Sequence, residues 1–337
     1  MKRRWLLWLL IIVAVWIVVS RFAEIKNLAQ TLGQGEWGWV LAAAFLQAIY
    51  YVVYAALYQS AFDTVGIKSR VSQLLPVMFA SLIVNVTAPV AGLGGAVLFV
   101  DDVAQRGQSA TQAAAGAILV LVADFVTFTL VLIVGLTYLF LQHNLQAYQV
   151  IGAAVVLLVA GSLIGVLLLG LRGTGRLRRV LGWVQRVVNR IGGWFRRPSL
   201  LTSDWAEKNT VEFTKAAAAI AAHPRRLART LAVALTTRLV HLASLFALFL
   251  AFYRPVGLGD LVAGYAVGFT FWIVSITPQG IGVVEGVMAL VFTSLGVPPA
   301  EATTIALAFR GLGLWLPLAV GFFLLRRVRS FGHTSNV

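Results

Sequence analysis

The sequence predicts an all-α polytopic membrane protein, and three observations carry that prediction. Of its 337 residues, 60% are apolar and only 12% are charged, against roughly 25% charged in soluble domains. The apolar residues gather into eight segments, 5–20, 37–61, 71–100, 110–141, 148–171, 228–252, 259–297 and 301–325, and about 20 apolar residues suffice to span a bilayer as a helix. Most basic residues flank these segments, and clusters of them stand at the segment ends. A chain so filled with spans leaves no room for a soluble catalytic domain of ~100–150 residues. With no cysteine, disulfides, thiolate catalysis and cysteine-ligated metal centres are excluded. His143, His223, His241 and His333 make no metal-binding spacing, so neither a metal nor another cofactor is expected.

The charge is informative by position. Lys and Arg number 27 against 12 Asp and Glu, a net +15. Thirteen of the basic residues lie between Arg172 and Arg229, opposed only by Asp204, Glu207 and Glu212, so segment 172–229 carries +10. Lys2, Arg3 and Arg4 precede the first apolar segment, and Arg326, Arg327 and Arg329 follow the last. The positive-inside rule puts all three clusters, and both termini, on the cytoplasmic side of the inner membrane. There the basic segment meets anionic inner-leaflet headgroups, and Trp183, Trp194, Phe195 and Trp205 suit interfacial amphipathic helices. No nucleic-acid reader motif accompanies the charge, so no nucleic-acid partner is expected. Segment 5–20 has the look of a signal peptide, but Val18-Val19-Ser20-Arg21 is a poor cleavage site and the segment reads as a retained span.

Parity then organises the spans. With the N-terminus inside, 5–20 leads out, 37–61 returns, and Lys68 and Arg70 sit inside. Segments 110–141 and 148–171 together must return Arg172 to the cytoplasm, so 71–100 starts and ends inside. Its 30 residues are too few for two spans of ~20 residues plus a turn. They suit a re-entrant hairpin with its tip at Pro89, Gly92, Gly94 and Gly95. Segment 259–297 begins and ends outside by the same count, broken at Pro278, Gly280, Gly282 and Gly286. It reads as a second hairpin or as two short helices. The expectation is a single integral domain over 1–337 with six full spans and two broken segments. Halves 37–141 and 228–325 form an inverted repeat, with the basic segment 172–229 between them. Such repeats place a substrate site where the halves meet, and irregular backbone at depth marks a cavity.

Four charges fall within spans: Asp124, Arg238, Glu285 and Arg310. Charges in lipid are costly and face the interior, where they pair or act on a substrate. Arg310 suits Glu285 and Arg238 suits Asp124, although the sequence does not choose the pairing. Arg238 and His241 are three apart and share a helical face, and a guanidinium offers a planar fork to phosphate. His241 alone reads equally as a packed, hydrogen-bonded side chain. Asn85 and Thr87 before Pro89 supply cap chemistry and free backbone donors at the first tip. The stretch Thr277-Pro278-Gln279-Gly280-Ile281-Gly282, with Glu285 behind it, combines tight turns with polarity at depth. Gly264–Gly268 and Ala113–Ala117 read as helix-packing patterns. Asp101-Asp102 offers only a weak metal pair.

Two motifs resemble a known family. Thr277–Glu285, Leu295-Gly296-Val297, Ala302, Ala306, Phe309-Arg310, Trp315-Leu316-Pro317-Leu318 and Gly321 look like the C-terminal signature of the lysylphosphatidylglycerol synthase transmembrane region, also described as flippase-like. Asn85-x-x-x-Pro89, Gly94-Gly95 and Arg106 with its following Gly107 resemble its N-terminal signature, so the likeness runs over about residues 5–328. In large two-domain members this region carries aminoacylated phosphatidylglycerol to the outer leaflet, and a soluble domain makes that lipid. This chain ends at Val337 without such a domain and so resembles stand-alone members. The resemblance implies a lipid flippase or lipid transporter for a phospholipid or polyprenyl-linked lipid, with a lipid-synthesising enzyme as partner. A small-solute or ion transporter and a lipid-modifying enzyme are the alternatives. By carry-over, Glu285 and Arg310 line a central cavity beside the tips 85–95 and 277–282. Val90–Val97 is uncharged where members often place a basic and an acidic or polar residue, which separates this chain from the family's usual anion grip.

Overall fold

The structure, a computed structural model, describes residues 33, 35–87, 93–171, 174–194, 204–252, 256–275 and 277–324. The expected span 5–20, the terminal basic clusters, and Pro89 and Gly92 of the first tip lie outside these residues.

Every regular element described is helical. In chain order they are α1 (Trp37–Thr64), α2 (Val71–Thr87), α3 (Leu93–Gln105), α4 (Ala110–Leu141), α5 (Ala147–Leu171), α6 (Thr174–Trp194), α7 (Trp205–Ala222), α8 (Pro224–Ala251), α9 (Leu258–Val274), a 3₁₀ turn (Pro278–Gly280), α10 (Val283–Ser294), α11 (Pro299–Arg310), a π turn (Gly311–Trp315) and α12 (Leu316–Leu324). Among the described residues, α1, α4, α5 and α8 are long and apolar enough to cross a membrane. Local chemistry sets the ends. Ser109 caps α4 by accepting from the Gln112 amide at 3.3 Å, which satisfies one orphan N–H of the first turn. Pro224 opens α8, where its missing N–H costs nothing. Gly107 and Gly296, at φ 77 and 90, take the left-handed backbone that stops α3 and α10.

The two broken segments form helical hairpins. α2 packs on α3, and α9 packs on α10. With 17, 13, 17 and 12 residues, these helices are ~18–26 Å long at 1.5 Å per residue. Each falls short of the ~30 Å hydrocarbon core. α1 and α8 make the most extensive helix pair and run antiparallel. At one end the Arg226 guanidinium donates to the Asp63 carbonyl at 2.9 Å, and at the other the Glu36 amide donates to the Ala251 carbonyl at 2.7 Å.

Contacts sort the loops into two ends. The Arg106 guanidinium donates to the Gln73 carbonyl at 3.4 Å, and the Lys68 amide to Gln108 at 3.0 Å. The hairpin α2–α3 therefore leaves from and returns to the end that carries Asp63 and Arg226. At the opposite end the Tyr138 hydroxyl meets Asp260 at 2.9 Å, and Asn144 donates to the Ser294 carbonyl at 2.8 Å. That gathers the start of α9, the finish of α10 and the α4–α5 loop. The amphipathic helices lie at the Asp63 end. Thr111 of α4 bonds Asn209 of α7 at 2.8 Å, and α7 turns Ala206, Phe213, Ala217 and Ile220 inward. On α6, Leu177 is buried while Arg178, Arg179, Arg186, Arg190 and Trp183 are exposed.

Helices close on one another through small residues, as packing without a hydrophobic drive requires. A Cβ on Gly264 would meet Phe292 at 2.2 Å, and one on Gly268 would meet Met288 at 2.2 Å, so these two glycines seat α10 against α9. Ala113 and Ala117 of α4 are buried in a core to which α1, α2 and α3 also contribute.

Candidate functional site

The four charges that the sequence places within spans are all paired. Arg238 of α8 meets the Asp124 carboxylate of α4 at 2.6 Å and donates to the Asp124 carbonyl at 3.3 Å. It also donates to the Tyr265 hydroxyl of α9 at 3.2 Å and lies over the Phe128 ring at 5.2 Å, so a cation–π contact adds to the ion pair. Arg310 of α11 donates from Nε to Glu285 of α10 at 3.0 Å and from one terminal nitrogen to the Gln279 carbonyl. The other Glu285 oxygen accepts from the Gly282 amide at 2.7 Å, an acidic cap at a helix N-terminus, where carboxylates are favoured.

Arg310 therefore fastens the second tip. The turn there is wound tightly: Gln279, Gly280 and Gly282 have φ of 55, 65 and 83. For Gln279 this region is strained, at a cost of roughly 1–3 kcal/mol. Both ends of the residue are held, its carbonyl by Arg310 and its side-chain oxygen by the Trp272 indole N–H at 2.9 Å. Thr277 completes the turn, its amide and hydroxyl bonding Ser275 Oγ at 3.0 and 2.7 Å. At the first tip the Asn85 side-chain oxygen accepts from the Gly95 amide at 2.6 Å. Gly95 fits there because a Cβ would lie 2.6 Å from the Asn85 amide nitrogen.

The two tips share a cavity of about 120 Å³ in the middle of the protein. Asn85 and Gly95 line it from the first tip and Gln279 from the second, with Asp124, Arg238, His241 and Arg310 between them. Tyr50, Tyr51, Tyr54 and Tyr58 of α1 form one wall, and Phe125, Phe128, Phe269, Trp272 and Phe309 complete the aromatic lining. The His241 ring stacks on Tyr50 with centroids 4.4 Å apart and meets the Tyr265 hydroxyl at 3.3 Å. Tyr51 donates its hydroxyl to the Gly313 carbonyl in the π turn. A π turn widens the helix by one residue and leaves such carbonyls free.

Of the sequence-predicted residues, seven converge on the cavity: Asn85, Gly95, Asp124, Arg238, His241, Gln279 and Arg310. Glu285 is held by Arg310 and Gly280 and Gly282 shape the turn, but none of the three lines the cavity. Gly94 and Thr277 also lie off its wall. Thr87 ends α2 and Pro278 opens the 3₁₀ turn, but their side chains, like Pro89, lie outside what the structure describes. Sequence reasoning passed over the tyrosine wall and Tyr265. A signal was present: Tyr50, Tyr54 and Tyr58 stand at i, i+4, i+8 in an apolar span, which stacks them on one face. Asp102, read as half of a weak metal pair, instead bridges Arg106 at 2.6 Å. No cluster of three metal-ligating side chains occurs among the described residues.

Residues 5–321 match the family described as the lysylphosphatidylglycerol synthase TM region. The chain belongs to this family. The match takes in both tips, both ion pairs and the tyrosine wall. The chain is accordingly a lipid-associated multi-pass membrane protein of the lysylphosphatidylglycerol synthase transmembrane family. No curated protein matches the chain.

Proposed function

We propose that the protein moves a lipid headgroup across the cytoplasmic membrane through the cavity between its two halves. The observation that carries this reading is the shared cavity, where two broken helical segments from opposite ends of the molecule meet over buried, paired charges. The cargo proposed is a phospholipid or polyprenyl-linked lipid whose tails stay in the bilayer while the headgroup crosses. Arg310 is assigned to the phosphate. Its Nε and one terminal nitrogen are engaged by Glu285 and Gln279, and the remaining terminal nitrogen has no partner among the described residues. Both termini are placed in the cytoplasm, with α6 and α7 against anionic inner-leaflet headgroups and an enzyme that makes the lipid as partner.

An inverted repeat over 37–141 and 228–325 is part of the proposal, with α2–α3 and α9–α10 as re-entrant hairpins. The helix boundaries support it. Trp37 and Pro224, and Val71 and Leu258, are helix starts separated by one offset. Beyond the tips, Gln105 and Ser294, Ala110 and Pro299, and the turn glycines Gly107 and Gly296 share a second, slightly longer one. Packing partners obey the same exchange: α4 with α9 answers α12 with α2, and α3 with α4 answers α10 with α11. By these offsets the contact of Tyr51 with the Gly313 carbonyl answers that of Arg238 with the Asp124 carbonyl.

The test is leaflet exposure of an acyl-labelled phospholipid in proteoliposomes. The paired substitution Glu285→Gln with Arg310→Gln leaves no lone buried charge and is expected to reduce transport at least tenfold in protein that still melts cooperatively. Unchanged transport removes Arg310 from the headgroup path. The small cavity volume also favours a second reading, a small-solute transporter. Solute uptake without lipid movement in the same vesicles would favour that reading.

A further inference from the structure

We infer that the cavity binds one neutral, polyhydroxylated six-membered ring, carried as the glycosyl headgroup of a lipid or presented as a free sugar, and that the tyrosine wall of α1 reads it. This rests on the reading that the cavity is a transport path, and it names what the path recognises.

Charge comes first. Arg238 is held by Asp124 and Tyr265, and Arg310 by Glu285 and Gln279. The ionic groups therefore largely satisfy one another, and the one Arg310 terminal nitrogen left over can meet a single phosphate, so the rest of the headgroup is left to neutral groups. Neutral hydrogen-bonding groups remain. The hydroxyls of Tyr50, Tyr54 and Tyr58 line the cavity and have no hydrogen-bond partner among the described residues. Tyr58 is only 3% exposed as a residue, so almost all of it except what faces the cavity is packed against protein. Asn85 and Gln279 spend their side-chain oxygens on the Gly95 amide and the Trp272 indole, which leaves their NH₂ groups to donate.

Shape agrees with this chemistry. Aromatic rings carry a negative face that attracts the C–H face of a sugar, while the ring's hydroxyls reach outward to the phenols and amides. Tyrosine and tryptophan offer both surfaces in one side chain. Tyr50, Tyr54 and Tyr58 repeat at one helical turn, so their hydroxyls form a column along the wall. The volume of about 120 Å³, below the ~150 Å³ cavity that accepts benzene, admits at most one sugar ring and not a chain of them.

The experiment uses the full chain in proteoliposomes with a fluorescent short-chain polyprenyl phosphoglucose, the same polyprenyl phosphate without sugar, and labelled free glucose. The phosphoglucose lipid is expected to change leaflet faster than the sugar-free one. Tyr54→Phe, which removes one oxygen and keeps the ring, is expected to slow it roughly fivefold and leave the sugar-free lipid unchanged. Equal rates for the two lipids, or a pair of variants Tyr54→Phe and Tyr58→Phe that leaves their ratio unaltered, overturns the ring site while lipid movement stands. Glucose uptake sensitive to Tyr54→Phe, without movement of either lipid, supports the ring site and overturns the lipid reading. No transport of any probe by protein with intact melting overturns both.

Discussion

At the scale of single residues, the Asp124–Arg238 ion pair ties the two halves together. Asp124 on α4 and Arg238 on α8 come from different halves of the chain, and their side chains are 14% and 7% exposed. Removing one partner of such a buried pair strands the other and costs about 3–5 kcal/mol. Asp124→Asn is therefore expected to lower the melting temperature in detergent sharply, while Asp124→Asn with Arg238→Gln lowers it less than the single change. A double variant no better than the single one would show that the arginine has other compensation. The sequence made these four charges visible, because an ionisable residue in an apolar run is conspicuous. It did not give their partners, which depend on how α8 is rotated against α4. The tyrosines were harder to see. In an apolar span a tyrosine counts as one more large side chain, and only the cavity tells a phenol that faces it from one that faces lipid.

At the scale of elements, the hairpins depend on close approach. Gly264 and Gly268 lie where α10 presents Phe292 and Met288. Gly264→Ala pushes a methyl into a rigid ring, and overpacking of this kind costs about 1–3 kcal/mol. Gly268→Ala meets the flexible Met288 chain and is expected to cost less. Thermal unfolding of the two variants checks the order, and equal losses would argue that α9 and α10 separate freely. Element boundaries were legible where punctuation was strong: the glycine stops at Gly107 and Gly296, and the Pro/Gly breaks within both long segments. The division of the last apolar segment into α11, a π turn and α12 was not. A π turn arises when one helical residue too many is accommodated by neighbours, here Tyr51 and the α2 face, and composition carries no trace of that.

At the scale of the whole molecule, the two sets of loop contacts make orientation testable. Lys68, Gln108 and Arg226 gather at one end, and Gln142, Asn144 and Asp260 at the other. The cysteine-free chain suits single-cysteine labelling. On intact cells a membrane-impermeant maleimide is expected to label Gln142→Cys at the outer face, and to label Ser69→Cys only after permeabilisation. The reverse pattern would invert the proposed topology. Overall charge pointed to this orientation from the sequence alone, since thirteen basic residues in segment 172–229 leave little freedom under the positive-inside rule. Which helices touch across the middle was beyond it: the α1–α8 pairing joins segments far apart in the chain, and apolar faces of similar composition do not encode a partner.

The π turn at Gly311–Trp315 also acts as a phase shifter within its helix. Each α-helical residue advances the face by about 100°, and the extra residue of a π turn absorbs one such step. Upstream of it, Arg310 points to the second tip. Within and just beyond it, Leu314 and Leu318 pack with Ile83 of α2. Without the inserted step those two faces would stand about a quarter-turn out of phase, and the helix could clamp the tip or close on the first hairpin, but not both. One surplus residue thus lets a single helix serve both broken segments at once.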